Sequence, residues 1–266
     1  MERCWQRSRS EPSSSPACSP WQLTSVRPAS PPRPRLPKHI PKHQILKSRR
    51  MWVKICGWND PAILKESLTH GVPDAVGLNF YAKSPRLVRT PDAIQLRRLL
   101  PPTVDLVGVF VNHTPTQIRK AVIETGLTHV QLHGNEPPAF LQHFSDLKII
   151  RVYRLSSPSI DPIKQDLAAL AHMKVRPWAC LVDAWDTNEF GGTGKLAPWA
   201  ALSEWKAEWP RLILAGGLTP ANVAEAIRTV RPFGVDTASG VEVERGRKSP
   251  ELVSQFLTAA RSVSDE

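Results

Sequence analysis

The chain has 266 residues and a formal net charge of +11, but this charge is concentrated at the amino terminus. Residues 1–50 contain eleven Lys/Arg and two Asp/Glu, whereas the remaining residues contain 24 basic and 22 acidic side chains. The remainder therefore lacks the general basic surface of a nucleic-acid-binding protein. No run of about 18 apolar residues is present, so no membrane span is expected.

Residues 1–50 are rich in proline, serine and arginine. Prolines remove amide donors, and too little apolar surface is available there to offset the entropy of ordering. We therefore expect a disordered extension, with the folded domain spanning residues 51–266. An organelle transit peptide is an alternative, against which the proline density argues. A nucleic-acid-binding arm is a second alternative.

Cysteine usage indicates a reducing compartment and no metal site. The four cysteines are Cys4, Cys18, Cys56 and Cys180, and they show neither a CxxC nor a Cys/His ligand spacing. No apolar signal-peptide segment precedes them. These observations predict a cytoplasmic protein without disulfides or bound metal.

From residue 51 onward, short β-type apolar runs alternate with helical patterns. Strands are predicted at 52–56, 75–80, 104–111, 128–132, 148–153, 178–183, 211–215 and 233–237. Helices are predicted at 60–70, 91–99, 115–125, 136–145, 160–173, 197–206, 219–229 and 250–262. A polar N-cap followed by proline marks four of the helix starts, at Thr90, Thr114, Thr219 and Ser249.

Eight such units predict a single α/β domain, a (β/α)₈ TIM barrel. Each unit has about 27 residues, close to the minimum for this fold. The strands are almost continuously apolar, as expected for parallel strands covered on both faces. A doubly wound open sheet is the alternative, but the turn after the first strand, at Cys56 and Gly57, is not the glycine-rich turn typical of that fold.

The carboxyl ends of the predicted strands carry most of the candidate chemistry. In a (β/α)₈ barrel these ends and their loops form the active-site face. Polar or reactive residues occur there in six of the eight units, namely Cys56, Asn79, Asn112, Gln131, His133, Asp183 and Asp236. His133 is a candidate hydrogen-bonding partner for substrate, although a barrel-rim histidine satisfied within the protein is the alternative.

Three glycine-rich turns, after strands 6, 7 and 8, predict a phosphate site. Glycines let backbone amides approach an anion, and helix amino termini add a favourable partial charge. Tight turns without a ligand are the alternative reading for any one of them. The candidate phosphate-binding residues are Gly192, Thr193, Gly194, Gly216, Gly217, Ser239 and Gly240.

Eight stretches in this order resemble the phosphoribosylanthranilate isomerase family of tryptophan biosynthesis. They are VKICG at 53–57, KSPR at 83–86, VGVFVN at 107–112, VQLHG at 130–134, LVDA at 181–184, FGGTGK at 190–195, LAGGLTPANV at 214–223 and VDTASGVE at 235–242. The resemblance implies an Amadori rearrangement of a small phosphosugar, N-(5-phosphoribosyl)anthranilate, to the open-chain 1-(2-carboxyphenylamino)-1-deoxyribulose 5-phosphate. It implies no cofactor and no metal.

The family's functional residues fall on four positions of this chain. The resemblance makes Cys56 the general base, Asp183 the general acid, Arg86 the partner of the anthranilate carboxylate and Asp236 the acid of the eighth-strand motif. A thiol that acts as a base at neutral pH needs a lowered pKa, and a carboxylic acid that donates needs a raised one. Lys54 is expected either to supply positive charge to Cys56 or to pair with Asp236.

Departures from the family pattern leave the phosphate-loop details open. They are Trp58 and Asn59 after the first strand, Ala197 and Pro198 after the sixth, and Ala238 after the eighth. Two rivals remain. A histidine-pathway isomerase would carry a carboxylate at position 56, and a non-catalytic phosphate-binding barrel would not need Cys56, Asp183 and Arg86 together.

The resemblance begins two residues after Met51. We therefore hypothesise that translation starts at Met51, and that residues 1–50 are otherwise dispensable. The sequence predicts neither nucleic-acid nor membrane partners, and it allows a monomer or a homodimer.

Overall fold

The computed structural model describes residues 50–155, 159–184 and 198–263. The expected extension at 1–49 lies outside these ranges, so its disorder and the proposed start at Met51 stay predictions. Gly192, Thr193, Gly194 and Ala197 also lie outside the described residues.

Eight parallel strands form a closed barrel in sequence order, which confirms the predicted (β/α)₈ fold. Closure joins the first strand to the eighth, with Trp52 paired to Gly234 and Lys54 to Asp236. The strands are β1 (Trp52–Cys56), β2 (Ala75–Asn79), β3 (Asp105–Phe110), β4 (His129–Leu132), β5 (Lys148–Arg154), β6 (Ala179–Asp183), β7 (Arg211–Ala215) and β8 (Gly234–Thr237).

Six α-helices are found among the described residues. They are α1 (Pro61–His70), α2 (Thr90–Leu99), α3 (Pro115–Thr125), α4 (Asp161–His172), α5 (Val223–Val230) and α6 (Pro250–Arg261). Thr114 caps α3 in a reciprocal capping box with Gln117, and Ser249 caps α6 by accepting from the amide of Leu252. Within the described ranges, no helix combines the length and apolar character needed to cross a membrane.

Two predicted α-helices are wrong in type. Pro138–Phe144 and Pro198–Glu204 are 3₁₀-helices of seven residues each. In the first, the pair Pro137-Pro138 removes two consecutive amide donors and disfavours helical geometry in the preceding residue. The second also begins at a proline. The tighter 3₁₀ form is the usual short alternative.

Two predicted N-caps are also wrong. Helix α5 begins at Val223, because the Asn222 side chain accepts from the Thr219 amide at 2.8 Å and donates to the Gly217 carbonyl at 3.0 Å. This side chain stabilises a turn where the helix was expected. Helix α2 includes Thr90 itself, and Arg89 occupies its N-cap without a side-chain hydrogen bond.

Alternation along the strands separates two cores. In β1, Val53 and Ile55 pack outward with the helices in the main core, whereas Trp52 belongs to a smaller core inside the barrel. Because side chains alternate between the two faces of a strand, Lys54 and Cys56 lie on the same side as Trp52. The first strand therefore places an aromatic, a cation and a thiol in successive layers of the barrel interior.

A two-stranded hairpin after β8 was not predicted. A short 3₁₀ turn at Ser239–Val241 leads into β9 (Glu242–Glu244), which pairs antiparallel with β10 (Arg247–Lys248). Gly246 lies in the turn between these strands with φ +93°. The hairpin brings Glu242 and Lys248 to the face formed by the carboxyl ends of the strands.

Candidate active site

The carboxyl ends of the strands surround a cavity of about 220 Å³. Its lining includes all five predicted catalytic and substrate-binding residues, namely Cys56, Arg86, His133, Asp183 and Asp236. Three candidate phosphate residues, Gly216, Gly217 and Ser239, also line it. Gly240 is not part of this lining.

A larger cleft of about 960 Å³ lies at the opposite face, beside the amino ends of β6, β7 and β8. Its described lining contains none of the predicted site residues. The larger volume of this cleft therefore does not make it the candidate active site. The smaller cavity is the candidate site because a thiol, two carboxyls and a guanidinium converge there.

Lys54 and Asp236 form a buried ion pair beneath the cavity. The Lys54 ammonium lies 2.9 Å from both carboxylate oxygens of Asp236, and the Lys54 side chain is fully buried. Burial alone would lower the pKa of Lys54, but the charges of Asp236 and Cys56 outweigh it and raise that pKa. Lys54 is therefore a fixed cation, and it fulfils both roles considered for it.

The Cys56 thiol does not have the lowered pKa that was expected. Its burial raises the pKa, and the charge of Asp236 adds to this effect. The ammonium groups of Lys54 and Lys248 oppose the shift without reversing it. The expectation fails because the thiol ends a strand inside the barrel, where desolvation disfavours the thiolate.

Asp183 has the raised pKa expected of a proton donor. Burial is the main cause, the nearby charge of Asp236 contributes, and Arg154 opposes it. Asp183 ends β6, in register with Arg154 at the end of β5. Gly216 packs against this carboxyl, since a Cβ there would lie 2.7 Å from Asp183 Oδ1, and its φ of +95° independently favours glycine.

His133 is a neutral hydrogen-bonding group at the rim of the cavity. Burial lowers the pKa of His133 to about 4, with Arg154 and Lys54 contributing. Its Nδ1 lies 3.4 Å from the side-chain nitrogen of Gln131. The carbonyl oxygen of the Gln131 side chain is buried and has no partner among the described residues. Both side chains are thus available to hydrogen-bond a bound molecule.

Arg86 is already paired within the protein. Its Nε donates to Glu242 Oε1 and its Nη2 donates to Glu242 Oε2, each at 2.7 Å. Gly57 makes room for it, because a Cβ at that position would overlap the Arg86 side chain, and Gly57 has φ +82°. The guanidinium fork expected to meet a substrate carboxylate is therefore occupied by Glu242.

Sequence reasoning missed several residues of this site. Asn79 and Gln131 line the cavity from strand ends, where the sequence assigns them no role, and Thr237 lines it beside Asp236. Glu242 closes the VDTASGVE stretch but gave no signal of its contact with Arg86, 156 positions earlier. Lys248 offered no signal at all.

Comparison with known proteins gives the family. A family profile described as N-(5'phosphoribosyl)anthranilate (PRA) isomerase matches residues 53–259. The N-(5'-phosphoribosyl)anthranilate isomerase of Trichlorobacter lovleyi is 39% identical over 210 residues, which cover 79% of this chain and 97% of that protein. The chain belongs to the N-(5'-phosphoribosyl)anthranilate isomerase family.

Solved structures of this family have the same fold. The crystal structure of phosphoribosyl anthranilate isomerase from Thermotoga maritima matches with a TM-score of 0.68 and 35% identity, covering 80% of this chain and all of that one. A phosphoribosyl anthranilate isomerase in complex with reduced 1-(o-carboxyphenylamino)-1-deoxyribulose 5-phosphate matches with a TM-score of 0.66 and 32% identity, at the same coverage. The predicted family, an isomerase of tryptophan biosynthesis, is thereby confirmed.

The cavity contains a thiol and carboxyl groups, which can give and take protons. Among the described residues, no group of three or more His, Cys, Asp or Glu side chains could hold a metal ion. Cys56 and Asp183 line the cavity from strands β1 and β6. Gly192, Thr193 and Gly194 belong to the part of the chain outside the description, so their role in the family's phosphate site stays a prediction.

Proposed function

We propose that the protein converts N-(5-phosphoribosyl)anthranilate into 1-(2-carboxyphenylamino)-1-deoxyribulose 5-phosphate. The observation that carries this proposal is the joint lining of one cavity by Cys56, Asp183 and Arg86 in a member of the isomerase family. The substrate is a small phosphosugar with an aromatic carboxylate. Each of its polar parts has a chemically matched group in or beside the cavity.

Asp183 opens the sugar ring. Protonated Asp183 donates its proton to the ring oxygen, the bond from that oxygen to C1′ breaks, and the nitrogen lone pair forms a C1′=N iminium. The raised pKa of Asp183 supports this role, because it increases the fraction of acid available near neutral pH.

Cys56 then removes the proton from C2′. The thiolate takes that proton, and its electron pair moves to neutralise the iminium and gives an enolamine. In the last stage C1′ gains a proton and the 2′-hydroxyl loses one, which gives the ketone. The substrate has then neither gained nor lost protons overall. Lys54, a buried cation two residues from Cys56 on the same side of the strand, favours the thiolate.

Most of the remaining candidates bind the substrate. Arg86 receives the anthranilate carboxylate, and neutral His133 donates or accepts a hydrogen bond at the rim. Asp236 acts through Lys54, which it holds in place. Gly216, Gly217, Ser239 and Gly240, with Gly192, Thr193 and Gly194, form the phosphate site of this proposal. The first three line the cavity, which supports the assignment.

We propose further that the protein is cytoplasmic, requires no cofactor, binds no nucleic acid and exists as a monomer or a homodimer. Cys56 and Cys180 are free, buried thiols, which agrees with a reducing compartment.

The direct experiment is a turnover assay. N-(5-phosphoribosyl)anthranilate is fluorescent, and its fluorescence should fall when the purified full-length chain is added. The expected product is an isomer of the substrate and has the same mass, so it is identified after reduction of its ketone, by co-elution with the chemically reduced open-chain compound. Unchanged fluorescence at micromolar protein would overturn the proposed function.

A further inference from the structure

The hairpin β9–β10 places two charged side chains against Arg86. Glu242 and Lys248, from its two strands, are both nearly fully buried, with side-chain exposures of 4% and 2%. The Lys248 ammonium donates to Glu242 Oε1 at 2.6 Å and to the Ala238 carbonyl at 3.0 Å. Arg86 donates to both oxygens of the same carboxylate. One carboxylate thus holds two cations.

This arrangement decides how Arg86 can meet a ligand. A guanidinium has five N–H donors in a rigid plane. Nε and Nη2 of Arg86 point their hydrogens at Glu242, and Nη1 has no acceptor among the described residues. A substrate carboxylate can therefore be received at the Nη1 end of the guanidinium while the Glu242 contacts persist. The guanidinium is oriented before the ligand arrives.

The net charge of this cluster also favours binding of a carboxylate. Arg86 and Lys248 together carry two positive charges, and Glu242 carries one negative charge. Burial alone would raise the pKa of Glu242, but hydrogen bonds from Arg86 and Lys248 lower it to about 2, so this carboxylate stays ionised at neutral pH. Lys54 and Asp236 neutralise one another separately. With the Cys56 thiol protonated, as its raised pKa favours, the cluster is therefore left with one uncompensated positive charge beside the cavity.

We propose that Glu242 is a positioning residue for the carboxylate of the substrate. It fixes the Arg86 guanidinium so that Nη1 is free, and it shares its single charge between Arg86 and Lys248 so that a substrate carboxylate completes the charge balance. This inference rests on the proposed function, because it names the substrate group for which Arg86 is held. Glu242 itself does not touch the substrate.

The test is steady-state kinetics of Glu242→Gln and Glu242→Asp, with Arg86→Ala and the double variant Arg86→Ala/Glu242→Gln. Glu242→Gln should raise KM by about tenfold, the scale of one charge-assisted hydrogen bond, and change kcat by less than about threefold. Glu242→Asp retains the charge and should show a smaller rise. In the Arg86→Ala background, Glu242→Gln should raise KM no further, because its effect passes through Arg86.

A matched control separates positioning from general stability. Arg119 and Asp146 form another bidentate pair on the outer surface, in which Nη1 and Nη2 of Arg119 donate to the carboxylate at 3.0 and 2.8 Å. Asp146→Asn should leave KM unchanged, and thermal unfolding of every variant reports whether it is folded. If Glu242→Gln does not fold, Glu242→Asp alone decides, because it keeps the counter-charge of both cations.

The outcomes of the two proposals are distinct. A wild-type chain that does not turn over the substrate refutes the proposed function, whatever Glu242 does. An active wild type whose folded Glu242 variants have an unchanged KM overturns the positioning role alone. A rise in KM that is the same with and without Arg86 overturns it as well.

Discussion

Lys54 and Asp236 are paired across the seam where the barrel closes, with the ammonium 2.9 Å from both carboxylate oxygens. The two residues stand opposite one another in the register of β1 and β8. Cys56 follows Lys54 by two positions and lies on the same side of the strand. The pair therefore links barrel closure to the charge environment of the proposed base.

Breaking this pair should destabilise the fold. Lys54→Met leaves the Asp236 carboxylate buried without a counter-charge, and we expect a loss of about 3–5 kcal/mol in the free energy of unfolding. The double variant Lys54→Met/Asp236→Asn should recover part of that loss, because no unpaired charge remains. Urea unfolding measures both. A Lys54→Met free energy within experimental error of the wild type would contradict this account.

The pH dependence of kcat/KM should have a broad plateau. Activity requires protonated Asp183 and the Cys56 thiolate, and burial raises both pKa values, from ordinary values of about 3.9 and 8.5. Below the pKa of Asp183, kcat/KM rises with pH as the thiolate fraction grows. Between the two pKa values, the growing fraction of Cys56 thiolate is cancelled by the falling fraction of protonated Asp183, so kcat/KM stays constant. Above the pKa of Cys56, kcat/KM falls.

The pH–rate profile of the free enzyme checks this expectation. The alkaline limb should lie above the ordinary thiol pKa, and the acidic limb above the ordinary aspartate pKa. An alkaline limb below about 8 would show that the thiol pKa is lowered in the working enzyme and would contradict the role assigned to burial.

His129 should make the fold less stable in mild acid. Burial lowers the pKa of His129 to about 4, although Asp105 lies 3.6 Å away and opposes the shift. The unfolded chain binds a proton below about pH 6.5, whereas the folded chain does not until about pH 4. Stability therefore falls as the pH drops through this window, by at most about 1.4 kcal/mol per pH unit for each such histidine.

Urea unfolding between pH 7 and pH 4.5 measures this slope. His133 has the same lowered pKa. A non-titrating variant, His129→Gln, should therefore remove about half of the histidine-dependent slope. An unchanged slope in His129→Gln would show that this side chain does not remain neutral in the folded chain.

Much of the fold and part of the site follow from the sequence by simple physical rules. Continuous apolar runs indicate parallel strands that are covered on both faces. The carboxyl ends of such strands lie on one face of a barrel, so the sequence predicts that Cys56, Asp183 and Asp236 lie close together. The helix type predicted for Pro138–Phe144 and Pro198–Glu204 is wrong because prolines favour 3₁₀ geometry over the α-helix that the apolar pattern suggests.

The contact of Glu242 with Arg86 could not be predicted in the same way. It joins the loops after the second and eighth strands, and only a hairpin that carries no strong turn or alternation signal brings the two side chains together. The raised pKa of Cys56 was missed for a related reason, because desolvation depends on packing around the thiol and not on its neighbours in the chain.

Arg86 should contribute more to binding than to chemistry. Arg86→Ala should weaken the interaction with substrate by about 1.5–3 kcal/mol, the range for hydrogen bonds to charged groups. A substrate analogue without the anthranilate carboxylate should lose affinity for the wild type far more than for the variant. Equal losses in both proteins would show that Arg86 does not meet this carboxylate.

The pair Cys56 and Asp183 is the centre of the account, and turnover by Cys56→Ala and Asp183→Asn tests it most directly. Each substitution removes one proton-transfer group from the cavity, and neither residue takes part in an ion pair among the described residues. We expect kcat to fall by about two orders of magnitude or more in each variant, with thermal unfolding close to that of the wild type. Near-normal kcat in either folded variant would contradict the acid–base assignment.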